Sequence, residues 1–223
     1  MDSLKVTARL AANVICDRWI PLDGILLAQA CREAWGPQDA ALPGGRVLDW
    51  PPLPLEIRQA GASFWYYACS WAQPQPWWVA EGQDHWNKRF DTGLAQYVDF
   101  NKKRGKVIVE QGRYKAYHMP IFYYVADMIE WYCIGDRAGI ERLLSTCTHI
   151  GKKAAQGWGS VAEWRVEAWP EDWSERRDGR LTRGLPAGAL SEEMPLNVNV
   201  LLYGIRPPYY MKENQMMAVM PGG

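Results

Sequence analysis

The residues best suited to chemistry form one short run, Gly151-Lys152-Lys153-Ala154-Ala155-Gln156-Gly157-Trp158-Gly159, a G-K-K-x-x-x-G-x-G pattern. Glycine admits positive φ and lets a backbone come close to a ligand. Successive N–H groups in such a turn can form an anion nest. Two adjacent lysines add mobile positive charge for phosphates. Trp158, held between two glycines, can lay its ring on a base or pack inward. Together Gly151, Lys152, Lys153, Gln156, Gly157, Trp158 and Gly159 describe a cradle for phosphate and base. No Gly-Lys-Ser/Thr follows the spacer, so the run is not a P-loop. The glycines lead into a strand pattern rather than a helix, so it is not a dinucleotide fingerprint either. The plain structural alternative is a helix-to-strand turn with solvated lysines.

A second candidate lies upstream. Between Trp86 and Lys115 there are eight basic residues, Lys88, Arg89, Lys102, Lys103, Arg104, Lys106, Arg113 and Lys115, against only Asp91, Asp99 and Glu110. Trp86, Phe90, Tyr97, Phe100 and Tyr114 are interleaved with those charges. Phosphate contacts combined with ring stacking are how single-stranded RNA is held. The alternative is a solvated charged hairpin.

Catalytic candidates are few. The chain has 3 histidines: His85, His118 and His149. His118 follows Lys115-Ala116-Tyr117, and that trio could do acid–base work on RNA without metal. A histidine in an aromatic strand is more often a packed residue, His149 can simply favour a helix C-terminus, and His85 reads as part of a polar loop. No HxH, HExxH, GxSxG or paired-carboxylate cluster is present, which leaves metallohydrolase and serine-hydrolase chemistry without support. No metal site and no cofactor are expected.

The elements that must position these residues follow from periodicity. Leu4–Leu10 alternates apolar and polar residues and reads as a strand. Leu22–Trp35 reads as a helix, with Asp23 able to cap its start and Gly36-Pro37 stopping it. Gln38–Pro54 is rich in Gly and Pro and reads as a loop. Leu55–Trp71 carries strong β character around Phe64–Cys69. From Gln73-Pro74-Gln75-Pro76 to about Asp127 the pattern fits an inserted β-rich arm, with strands at Lys106–Glu110 and Tyr117–Val125 joined through Gln111-Gly112-Arg113. Met128–Ile134 is a further strand, Asp136 an N-cap, and Arg137–Thr148 a helix with Ile140, Leu143, Leu144 and Cys147 on one face. Val161–Trp169 is the last strand. With the arm set aside, the order strand, helix, strand, strand, helix, strand is that of an α+β, ferredoxin-like (RRM-like) domain. Residues 1–169 then form that domain, with the arm at about 73–127. Residues 170–223 form a loop-rich extension with an apolar stretch at Val198–Tyr203 and a frayed end.

Composition bounds the rest. The chain has 223 residues, and its Lys+Arg and Asp+Glu counts are both 25, so a generally basic nucleic-acid binder is excluded while a local basic face is not. The aromatic content is unusual, with 13 Trp and 11 Tyr against 4 Phe; such rings suit cores, interfaces and base stacking alike. The 5 cysteines include no CxxC pair, which argues against zinc. Cys31, Cys69 and Cys133 lie in apolar stretches and read as buried thiols. An odd count without a leader pattern fits a reducing cytoplasm, and no run approaches the ~18 residues that span a bilayer.

A G-K-K/R-…-G-x-G loop after the second helix of a ferredoxin-like domain resembles the RAMP superfamily of CRISPR proteins, and within it the Cas-five-like subunit of type IV (Csf) effector complexes. The likeness rests on Gly151, Lys152, Lys153, Gly157, Trp158 and Gly159 and on element order over residues 1–169; the arm is similar to that family's thumb in position and composition. The tail after Pro170 adds nothing to it. The resemblance implies a non-catalytic RNA-binding subunit that holds the 5′ handle of the crRNA and caps a filament of Cas-seven-like backbone subunits. A large or small subunit and a DinG-type helicase are possible further partners, and no membrane is involved. Lys152 and Lys153 would meet phosphates, the main chain of Gly151, Gly157 and Gly159 would approach the RNA backbone, and Lys88, Arg89, Lys102, Lys103 and Arg104 would hold RNA or wedge it against a neighbour. Two other readings stand beside this one. The first is a metal-independent endoribonuclease using His118 with Tyr117 or Lys115. The second is a protein-only scaffold whose basic arm binds an acidic partner.

Overall fold

The computed structural model describes residues 1–17, 19–36, 50–60, 64–75, 80–91, 93, 97, 110, 114–189 and 199–221. In chain order the elements are β1 (Asp2–Leu10), α1 (Leu22–Trp35), β2 (Ile57–Ala60), β3 (Phe64–Tyr67), β4 (Gln73–Gln75), β5 (Ala80–Lys88), β6 (Tyr117–Val125), β7 (Met128–Gly135), α2 (Arg137–Leu144), β8 (Val161–Ala168), β9 (Arg176–Arg177), β10 (Arg180–Leu181), β11 (Leu185–Pro186), β12 (Asn199–Gly204) and β13 (Gln215–Met220). The protein is α+β with antiparallel sheets and two α-helices among the described residues.

The central sheet has the order β4-β7-β1-β8, each neighbour antiparallel. Alternation along β1 and β7 sends Leu4, Val6, Ala8, Ile129, Trp131 and Cys133 to one face. There they bury against Leu22, Leu26 and Ala30 of α1 and Ile140, Leu143 and Leu144 of α2. Trp131 is fully buried and its indole N–H donates to the Ile20 carbonyl at 2.9 Å, so the ring enters the core without an orphaned donor. Asp136 caps α2 through Oδ2, which accepts from the Gly139 N–H at 2.9 Å.

The other face of the sheet is a ladder of opposite charges. Lys5 lies 3.7 Å from Glu130 and 3.4 Å from Glu167, and Glu163 sits 3.5 Å from both Arg9 and Arg165. Tyr132 belongs to this face yet is buried, because Trp169, just after β8, and Trp173 of the C-terminal extension lie over it at ring distances of 5.5 and 4.9 Å.

Several sequence expectations are corrected. The sheet strand between α1 and β7 is Gln73–Gln75; the aromatic run Phe64–Tyr67 instead pairs with Ile57–Ala60 in a separate hairpin. The strand Tyr117–Val125 pairs with Ala80–Lys88, a polar stretch with no period of its own. Residues 106–109 and 111–113 lie outside the described residues, as do 38–49 of the expected Gln38–Pro54 loop. Asp23 does not cap α1: Pro21 holds the N-cap position, and Asp23 is already in the first turn with its carboxylate buried.

The extension is more than loop. Strands β11, β13 and β12 form a sheet that closes a second core with Tyr66, Trp71, Leu181, Leu185 and Ile205. Arg183, fully buried, ties it to the body. Its guanidinium donates to the carbonyls of Tyr67, of Cys69 at 3.0 Å and of Ile205 at 2.6 Å, and it lies 5.0 Å over the Tyr66 ring. No helix among the described residues is long and apolar enough to cross a membrane.

Candidate nucleic-acid interface

The glycine-rich loop is built on a strap of chain, residues 13–15, that follows β1. On one side Val14 exchanges backbone hydrogen bonds with Tyr124 of β6 at 3.0 and 2.9 Å. On the other, the Ile15 carbonyl accepts from Lys152 N–H at 2.6 Å and the Asn13 carbonyl accepts from Gly159 N–H at 2.8 Å. The strap thus joins the root of the β5–β6 arm to both ends of the loop.

This packing assigns the glycines different jobs. At Gly159, with φ +66°, an added Cβ would sit 1.9 Å from the Ile150 carbonyl oxygen, and at Gly151, with φ +78°, 2.4 Å from that of Ile15. Both glycines therefore turn their Cβ positions onto the chain's own backbone, a packing that by itself requires glycine at each. Gly157, with φ +86°, has nothing near its Cβ position. A 3₁₀ turn, Ala154–Gln156, is closed by Gln156 N–H to the Lys153 carbonyl and Gly157 N–H to the Ala154 carbonyl, each 2.9 Å. The amides of Lys152, Gln156, Gly157 and Gly159 are thus donated within the chain, so those four are not free to form an anion nest.

The loop's side chains meet the arm. Lys153 adopts φ 61°, a left-handed conformation rarely taken by a side chain-bearing residue, and its ammonium lies 5.0 Å over the Trp86 ring of β5. Trp158 packs on Tyr123 of β6 with ring centroids 5.1 Å apart. Tyr123 reaches across the position opposite Gly82, where a Cβ would lie 2.2 Å from its ring, so the glycine makes room for that contact. Directly opposed residues share a face, so Gly82, Trp86 and Lys88 lie with Tyr123, Met119 and Tyr117. Trp86 and Tyr117 stack at 6.3 Å and 17°, and the ammonium groups of Lys88 and Lys115 lie 6.0 and 5.8 Å over Tyr117. The result is a band of rings and cations running from loop to arm. Lys152 stands beside it, exposed and paired with Asp17 at 2.8 Å. Gln156 and Arg89 are exposed at its edges. Lys102, Lys103, Arg104, Lys106 and Arg113 lie outside the described residues.

The catalytic trio is not assembled. Tyr117 and His118 are neighbours in a strand and point to opposite faces of the arm. On its own face His118 stacks on His85 at 4.4 Å and pairs with Asn87 Oδ1 at 2.5 Å. Cys16, next to the strap, is no nucleophile at neutral pH: burial and the adjacent Asp17 push its thiol up to about 12, with Lys152 opposing. Among the described residues no three His, Cys, Asp or Glu side chains cluster as metal ligands do.

Sequence reasoning found Trp86, Lys153 and Trp158 but missed Asp17, Tyr123 and the strap. Only Gly82 opposite an aromatic strand hinted at Tyr123, and that hint needs the register to be known. The molecule is an α+β subunit of a type IV CRISPR system. It belongs to the family of CRISPR type IV associated protein Csf3, whose model matches residues 60–221. The matched span takes in the arm, the loop and the whole described extension, so the tail from which no likeness was expected carries part of the family's signal. No curated protein matches the chain.

Proposed function

We infer that this Csf3-family subunit is a non-catalytic, Cas-five-like RAMP protein that binds the 5′ handle of the crRNA at the junction of loop and arm and caps the filament of Cas-seven-like subunits. A ferredoxin-like core is supported by the strand order β4-β7-β1-β8 with a helix in each crossover. The observation that carries the site is the meeting of Lys153 with Trp86 and of Trp158 with Tyr123. It puts aromatic rings beside ammonium groups in one band, the combination that single-stranded RNA requires. The sheet's open face is a poorer candidate: its charges pair with one another, and the extension covers Tyr132. The described arm residues thus favour RNA over the acidic protein partner of the scaffold reading.

Binding of labelled crRNA over a salt series tests this. The double variant Lys152→Glu/Lys153→Glu is expected to weaken binding and flatten the salt dependence, because fewer counterions are released. Unchanged affinity at every salt concentration would remove the loop from the interface. The nuclease reading retains one observation, the His85–His118 stack on the outer face of the arm. Incubation with repeat RNA in EDTA decides it, since intact RNA supports a binding subunit and cleavage lost in His118→Ala supports a nuclease.

A further inference from the structure

A cavity of about 440 Å³ opens at the far end of the central sheet from the loop and arm. Arg9 pairs with Met128 at the arm end of the sheet, and Asp2 with Gly135 at the other, where Leu55 bridges to Gly135 and leads into β2. The cavity lies against the hairpin formed by β2 and β3. Trp50, Trp65 and Tyr67 give it flat aromatic walls, and Ile57, 52% exposed, stands at its mouth.

Among its described lining residues the only charged one is Arg206. The guanidinium lies 4.3 Å over the Trp65 ring, and its Nε donates to Asn214 Oδ1 at 2.7 Å while Nη1 reaches the Trp65 carbonyl at 3.3 Å. No carboxylate pairs with it among the described residues. Burial lowers its pKa, with Tyr67 opposing, so the guanidinium is partly stripped of water. The lining thus offers a ligand two kinds of surface, the aromatic rings of Trp50, Trp65 and Tyr67 and a guanidinium with no carboxylate partner among the described residues. A ligand with a planar body and an anionic group satisfies both, and the volume suits a ligand of one nucleotide.

We propose that this cavity binds a nucleoside monophosphate unit, its base on the tryptophan and tyrosine rings and its phosphate on Arg206. The site goes beyond the loop-and-arm reading and stands without it. The unit can be a free nucleotide or one residue of an RNA strand.

Calorimetric titration of the full chain with adenosine and guanosine 5′-monophosphates tests the proposal. The monophosphates are expected to bind about tenfold or more tightly than adenosine and guanosine, from the charge-assisted contact. Arg206→Gln is expected to erase that difference. Should Arg206→Gln fail to fold, the exposed Ile57 decides: Ile57→Glu weakens monophosphate binding and Ile57→Lys strengthens it. Lys152→Glu/Lys153→Glu leaves the signal unchanged, so loss of the loop's RNA binding and loss of this site are read separately. Competition by a short single-stranded RNA assigns the unit to a strand; its absence assigns a free nucleotide. The proposal is overturned by any of four results: no heat with either monophosphate, equal binding of nucleoside and monophosphate, equally tight binding of N-acetyltryptophan, or loss of the signal in the loop variant.

Discussion

Gly157 and Gly159 stand two residues apart, yet they place different demands on a side chain. At Gly157 an alanine meets only the cost of a left-handed backbone, about 1 kcal/mol. At Gly159 the same backbone cost is joined by a collision 1.9 Å from the Ile150 carbonyl oxygen. Denaturant unfolding is therefore expected to show a small loss for Gly157→Ala and a loss of roughly 3 kcal/mol or more, or no folded protein, for Gly159→Ala. Equal losses would show that the loop does not pack on its strap as described. Asp17 bears on the charge side of the loop. In the free protein it pairs with Lys152 across an exposed 2.8 Å contact, and such pairs contribute only ~0–1 kcal/mol. Asp17→Asn is thus expected to tighten RNA binding by about two- to fivefold and to steepen its salt dependence. Weaker binding in that variant would place Lys152 away from the RNA.

At the scale of elements, sequence periodicity located those parts whose burial is one-sided. Leu22–Trp35 coincides with an observed element, and Leu4–Leu10, Met128–Ile134 and Val161–Trp169 differ only at their ends, because each turns a stripe to the core, while Tyr117–Val125 coincides through its aromatic composition. The misses have physical causes. Gln73–Gln75 is too short to show a period, and Ala80–Lys88 is polar on both faces because a two-stranded arm is wetted on both. The loop was legible as a candidate site from its glycines and lysines. The roles of Gly151 and Gly159 were not, since they depend on a strap more than a hundred residues upstream. Nor was the buried cluster around Asp23, which accepts from Tyr209 Oη–H at 2.5 Å and feels Arg183. Burial raises the Asp23 carboxyl above its usual value, and Arg183 and the hydrogen bond from Tyr209 offset this only in part. The folded chain therefore holds that proton more tightly than the unfolded chain. The group's contribution to stability is greatest below the unfolded carboxyl value and falls as pH rises through the folded one. Asp23→Asn keeps an acceptor for Tyr209 and is expected to flatten this decline in urea midpoints measured across the acidic range. An unaltered pH profile would show that Asp23 does not titrate abnormally.

Across the whole molecule, charge and aromatic rings are distributed unevenly. The chain is neutral overall, with its sheet face self-paired, rings and cations meeting where the arm joins the loop, and a second aromatic cavity at the other end. The C-terminal extension closes the body rather than trailing from it. Trp71 is buried against Trp19 and Tyr203 at 5.2 and 5.6 Å, and Gly184 lies so close to its ring that a Cβ would come within 2.7 Å. Truncation after Trp169 would uncover Trp71 and Tyr66 and is expected to give aggregated protein by size-exclusion chromatography; a soluble, monomeric truncation would mean that the extension is dispensable to the fold. The most direct test of the account is ultraviolet cross-linking of crRNA to the purified protein, with the joined peptides read by mass spectrometry. The account predicts adducts on the peptides carrying Trp86, Tyr117, Lys153 and Trp158. Adducts confined to the sheet strands that carry Lys5, Arg9 and Arg165, with none on the arm or the loop, would contradict it.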